Sequence, residues 1–152
     1  MATCFFIGHR EAGEELLPLI TDAAERLIAE RGVTAFYAGG YGNFDRLAGS
    51  AVLRLKERYP HVRLYRVIPY HPAERPIQAP QGYDGTYYPP GMERVPRRFA
   101  IPRANRAMID ASDFLIAYVR RAAVSNACEI LEYAKRREKR GLIRVENLAD
   151  LL

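Results

Sequence analysis

Short, nearly continuous apolar runs alternate with amphipathic stretches along this chain, and that alternation restricts the fold more than any other feature. The runs are Ala2 to Ile7, Val33 to Ala38, Val62 to Ile68, Phe114 to Val119 and Leu142 to Val145. Between them, apolar residues recur at helical spacing. Leu16, Ile20, Ala23 and Leu27 mark one helix, closed by Arg31-Gly32. Leu47, Ala48, Ala51, Val52 and Leu55 mark another, stopped by Pro60, and two more are expected over about Pro102 to Ala111 and Ser125 to Lys139. Strands that are apolar at successive positions are buried on both faces, which predicts an α/β fold. The expected architecture is a doubly wound, mostly parallel sheet of about five strands with helices on both faces. Arg63 and Arg66 place the third strand nearer an edge.

With 152 residues, the chain has room for one domain, 1–152, and too little for two well-packed ones. Its longest apolar run is six residues, Phe114 to Val119, far short of a bilayer span. Gly8-His9-Arg10 interrupts the first apolar stretch, so it does not read as a secretory leader. Two cysteines, Cys4 and Cys128, are too few for a disulfide framework and fit no zinc spacing. A cytoplasmic domain without metal, cofactor or membrane contact is the expectation.

The net charge is +5, and it is localised. Arg94, Arg97, Arg98, Arg103 and Arg106 stand against Glu93 alone, a local +4 that leaves +1 for the remainder of the chain. Arginine forks suit bidentate phosphate contacts, so the patch points to an anion, either a small molecule or a polymer. The preceding segment, about 69–97, breaks the alternation. It holds seven of the ten prolines together with Tyr83, Tyr87 and Tyr88, and reads as a long loop of the kind that serves as a lid or binding loop.

In a parallel sheet the ligand crevice lies beyond the carboxyl ends of the strands. Three polar segments converge there: 8–10, 39–45 and 120–126. In Gly39-Gly40-Tyr41-Gly42-Asn43-Phe44-Asp45, the glycines permit positive φ and close backbone approach, and the following helix start offers N–H groups to a phosphate. The plainer alternative is a tight turn with Asp45 as helix cap. After Gly8, Arg10 can bind phosphate and His9 can donate to a ligand oxygen, or His9 is bonded locally at a strand end. Arg103 and Arg106, one turn apart and flanking Asn105, grip one anion or form a solvated face. Ser125 and Asn126 cap the last helix or hold a phosphate, and Glu129 faces the crevice or is a surface acid of the first turn.

These segments together carry a family resemblance. Cys4-Phe5-Phe6-Ile7-Gly8-His9-Arg10 is similar to the opening of the YpsA-related branch of the SLOG superfamily, and Gly42-Asn43-Phe44-Asp45 to its next conserved segment. Arg103-Ala104-Asn105-Arg106-Ala107-Met108-Ile109, Asp113 to Val119 and Leu131-Glu132-Tyr133-Ala134-Lys135 resemble its later helix, strand and last helix, in order. Where that branch usually has a Gly-Gly pair, this chain has Val124-Ser125-Asn126-Ala127, and the phosphate loop of the LOG enzymes is absent. The resemblance implies a Rossmann-like fold that binds a nucleotide or nucleotide-derived signal, such as ADP-ribose or an NAD-related molecule.

Three functions are thus in play. The first is binding or sensing of a small nucleotide without turnover, with phosphates on Gly39 to Asn43, Arg10 and Arg106 as countercharges, and Phe44 or loop tyrosines on the base. The second is a nucleotide N-glycosidase or hydrolase of the LOG type, using Asp45 or Glu129 as acid or base with His9 assisting. The third is single-stranded nucleic-acid binding in the manner of DprA, through the arginine patch with tyrosines as stacking platforms. A homo-oligomer is expected from the edge strand and the long loop.

Overall fold

The computed structural model describes residues 2–120 and 126–152. In chain order they form β1 (Ala2–Gly8), α1 (Leu17–Arg31), β2 (Val33–Ala38), α2 (Asn43–Arg58), β3 (Arg63–Val67), β4 (Gly85–Tyr87), α3 (Ala100–Ala111), β5 (Phe114–Tyr118), α4 (Asn126–Lys139) and β6 (Arg144–Asn147). The strands make one sheet in the order β4-β3-β2-β1-β5-β6, with every neighbouring pair parallel. This is a Rossmann-like, doubly wound α/β fold.

The alternation within β1 shows why both sheet faces are apolar. Cys4 and Phe6 enter a core shared with Ile20 and Ala24 of α1 and with Leu47 and Val52 of α2. Phe5 and Ile7 enter a second core with Met108 and Ile109 of α3 and with Ile130 and Leu131 of α4. Each strand side chain therefore meets a helix on whichever side it points, as a parallel sheet requires. Gly32 ends α1 in the left-handed region at φ 69°, and a side chain there would touch nothing, so glycine serves the backbone turn alone.

Three expectations need correction. There are six strands rather than about five, because Gly85–Tyr87 adds β4 beside β3. β3 lies one strand in from that edge, in keeping with its arginines, and the segment 69–97 is not wholly loop. Asp84 fastens it: its Oδ2 accepts the Leu64 N–H at 2.8 Å and a Lys56 Nζ donor at 2.6 Å. Burial works against this carboxylate's charge, yet Lys56 and the Leu64 N–H outweigh it and hold the group below the ordinary carboxylate range. Beyond β4, Met92, Ala100 and Ala104 form a small third core with Tyr70, Tyr88 and Val95, so the segment packs onto the start of α3. The last strand also runs later than its apolar residues indicate. Asn147 is buried at its end, its Oδ1 accepting the Val119 N–H at 3.0 Å and its Nδ2 donating to the Val119 carbonyl at 2.9 Å.

From β1 the chain winds outward through β2 and β3 to β4, then returns to the other side of β1 for β5 and β6. The direction reverses between β1 and β5, and the crevice at such a switch point is where ligands bind in open α/β sheets.

Candidate functional site

At the carboxyl end of β1, a Cβ on Gly8 would collide with the Phe44 ring. Glycine here lets α2 bring Phe44 beneath the strand, where it packs on Phe6 and Tyr118 and is fully buried. Phe44 is thus a core residue, and its expected role in stacking on a ligand is corrected. His9 is also buried. Its Nε2 accepts the Arg120 N–H at 2.9 Å and its ring meets Tyr118 edge-on. Accepting that bond places the proton of the neutral ring on Nδ1. Burial first, then the Arg120 charge, pushes its pKa below the ordinary histidine value and favours this neutral form.

The glycine-rich loop departs from its expected logic. None of Gly39, Gly40 and Gly42 has a positive φ of the kind that demands glycine. Their small size is used instead for close approach to the protein's own groups. A Cβ on Gly42 would lie 2.5 Å from the Arg10 Cα, and one on Gly40 would overlap the Arg66 guanidinium. The Asn43 N–H donates to the Arg10 carbonyl at 2.8 Å. Its side-chain Nδ2 donates to the Ala12 carbonyl, and its Oδ1 accepts from Arg46 Nε at 2.8 Å. Asn43 therefore ties the segment after β1 to the start of α2. Asp45 is not the helix cap, a place taken by Gly42; it lies inside the first turn, where its Oδ2 accepts the Tyr41 N–H at 2.9 Å.

These loops enclose a cavity of about 330 Å³. Gly8 and the following His9, Arg10 and Glu11 line it at the end of β1, Gly39 and Tyr41 from the β2–α2 loop, Asp45 from the first turn of α2, and Asn126 and Ala127 from the start of α4. Ile101 and Asn105, one turn apart on α3, complete it. Of the expected residues, Gly8, His9, Arg10, Gly39, Asp45, Asn105 and Asn126 come together here. Arg103 and Arg106 do not line it; both are exposed, and the Arg106 guanidinium lies 5.0 Å from the Tyr133 ring centroid. Glu129 is exposed on α4 and does not line it either. Ser125 falls outside the described residues.

No protein-family model matches the chain, and a search of the curated proteins finds no match.

A second cavity of about 260 Å³ adjoins the first, and Gly39 and Asp45 belong to the walls of both. Arg66 and Tyr83 line its far side. Burial raises the Asp45 pKa to about 6, against the pull of the Tyr41 N–H and Arg66. The Tyr41 phenol, also in the first cavity, is pushed up by burial and stays neutral. The crevice thus combines neutral donors, a carboxyl that changes charge near pH 6, and the cations Arg10 and Arg66. Such a set suits a ligand carrying hydroxyls and anionic groups.

Sequence reasoning did not single out Tyr41, Ile101 or Arg66 as site residues. A signal existed for Arg66: it is a charge at the carboxyl end of an otherwise buried strand, where the crevice of a parallel sheet opens. Tyr83, one of the loop tyrosines expected near the ligand, lines the second cavity.

Proposed function

We propose that the chain is a SLOG-type domain that binds or senses a small nucleotide or nucleotide-derived signal, ADP-ribose- or NAD-related or similar, without turnover. The observation that carries this reading is the cavity at the switch point, lined by Gly8 to Glu11, by Gly39, Tyr41 and Asp45, and by Asn105 and Asn126. Arg10 supplies a countercharge at its rim, and Tyr41, Asn105 and the His9 Nδ1–H supply neutral hydrogen-bonding groups. The reading without turnover is preferred because the cavity's cation and neutral donors suit holding a ligand with hydroxyls and anionic groups. Of the acids expected for turnover, Asp45 lines the cavity and Glu129 does not, while Glu11 lines it as well.

One observation favours a second reading, single-stranded nucleic-acid binding. Arg94, Arg97, Arg98, Arg103 and Arg106 are all exposed, and among the described residues none has an acid within ion-pair distance. Phe99, 49% exposed, lies among them.

Titration calorimetry at two salt concentrations, with AMP, NAD, ADP-ribose, cyclic dinucleotides and a short single-stranded DNA, separates the readings. Saturable, salt-tolerant binding of a small nucleotide that is recovered intact is the expected outcome. Recovery of free base would establish the glycosidase. Binding of the DNA alone, with affinity collapsing in salt as counterion release requires, would move the function to the arginine patch.

A further inference from the structure

Among the described residues only two arginines, Arg66 and Arg137, are partly buried, and they differ in one respect. Arg137 lies 3.2 Å from the Asp110 carboxylate. Arg66 has no acid within ion-pair distance and no hydrogen-bond acceptor among the described residues. Removing a guanidinium from bulk water without a partner is costly, and buried charges are ordinarily paired. Its nitrogens are not sealed off, since none is a fully buried atom lacking a partner. The guanidinium instead opens into the second cavity, against Gly40, facing Ser50 of α2 and Gln81 and Tyr83 of the segment before β4. Arg46 also borders that cavity, but Glu14 holds it at 2.6 Å. Arg66 is therefore the cation left to recognise something.

The two cavities meet at Gly39 and Asp45. At about 330 and 260 Å³, one is at the bottom of the ~300–1,000 Å³ range of small-molecule sites and the other below it. Neither alone offers much room; they share Gly39 and Asp45 as wall residues, with Arg10 lining the first and Arg66 the second. We infer that the site is two-lobed and takes a nucleotide bearing two separated anionic groups, the second seated on Arg66. This rests on the nucleotide reading of the first cavity. In it, Asp45 stands between the anions, where its Oδ1 accepts from a sugar hydroxyl. Glycine at 40 leaves the guanidinium its place over the loop, and Tyr83 closes the second lobe from outside.

The test compares AMP with adenosine 3′,5′-bisphosphate by titration calorimetry, on the wild type, Arg66→Gln and Ser50→Leu. A charge-assisted contact to a second phosphate predicts that the wild type binds the bisphosphate about tenfold or more tightly than AMP. Arg66→Gln removes that advantage and leaves AMP affinity within about twofold. Ser50→Leu, which fills the second lobe from α2 without touching the first, removes it as well and guards against misfolding of the Arg66 variant. Equal wild-type affinity for the two compounds, unchanged in both variants, overturns the second lobe while leaving the nucleotide reading intact. Failure of the wild type to bind either compound overturns the nucleotide reading itself.

Discussion

Asp45 keeps a carboxyl in a partly buried position, where Oδ2 accepts one backbone N–H and an arginine stands near but outside ion-pair distance. Burial raises its pKa from 3.8 to about 6, so the folded chain holds a proton that the unfolded chain has released across that interval. By linkage, its contribution to stability declines as pH rises from about 4 to 6, and the full penalty is present above that window. Asp45→Asn retains an oxygen for the Tyr41 N–H and removes the charge. Thermal melts are expected to show a gain of about 1–3 kcal/mol at pH 7.5 and almost none near pH 3.5. His9 acts in the opposite sense: its lowered pKa makes the folded state lose stability as pH falls below the ordinary histidine value. The difference between wild type and Asp45→Asn isolates the carboxyl from the imidazole. A destabilised Asp45→Asn at pH 7.5 would mean that the carboxylate is a structural partner and not a group held at a cost for a ligand.

The helices divide into those whose site residues follow from the pattern and those whose residues do not. For α3, helical spacing marks Ile101, Ala104, Met108 and Ile109 as the apolar face; the last three are buried and Ile101 is half-buried. The cavity then receives Ile101 and Asn105, while Arg103 and Arg106 point elsewhere, although their charges made them the more conspicuous candidates. Ligand affinity is therefore expected to fall about tenfold for Asn105→Ala and to change less than about twofold for Arg103→Ala or Arg106→Ala. The reverse ranking in a calorimetric series would show that the arginines, not the cavity, carry binding. The same contrast explains how much was legible. Long strands such as Phe114–Tyr118 announce themselves by continuous apolarity, and the meeting of the loops after β1 and β2 follows from the parallel sheet. β4 is three residues, Gly85–Tyr87, too short for any period to register, and it is held by Asp84, whose partners Leu64 and Lys56 are distant in sequence. Phe44 looked available because a glycine-rich loop precedes it. Only packing shows that the absent side chain of Gly8 makes room for its ring.

Across the whole molecule, the sheet edges and the charge distribution limit what the protein can join. Edge strands invite pairing with another chain unless they are short or capped. β4 is short, and on β6 the Val145 N–H donates to Glu138 Oε2 at 2.7 Å. The edges thus give the expected homo-oligomer no support. No helix among the described residues is long and apolar enough to cross a membrane. What distinguishes the surface is an exposed arginine cluster between Arg94 and Arg106 beside a crevice lined from the loops after β1 and β2 and from α3 and α4. The central claim is that the crevice, not the cluster, receives the ligand. Amide chemical-shift mapping during a titration with AMP at near-physiological salt tests it most directly. The perturbed amides are expected to group at Gly8 to Glu11, Gly39 to Asp45, Asn105 and Asn126. Perturbations confined to the exposed stretch from Arg94 to Phe99, with the Gly39 to Asp45 amides unmoved, would contradict it.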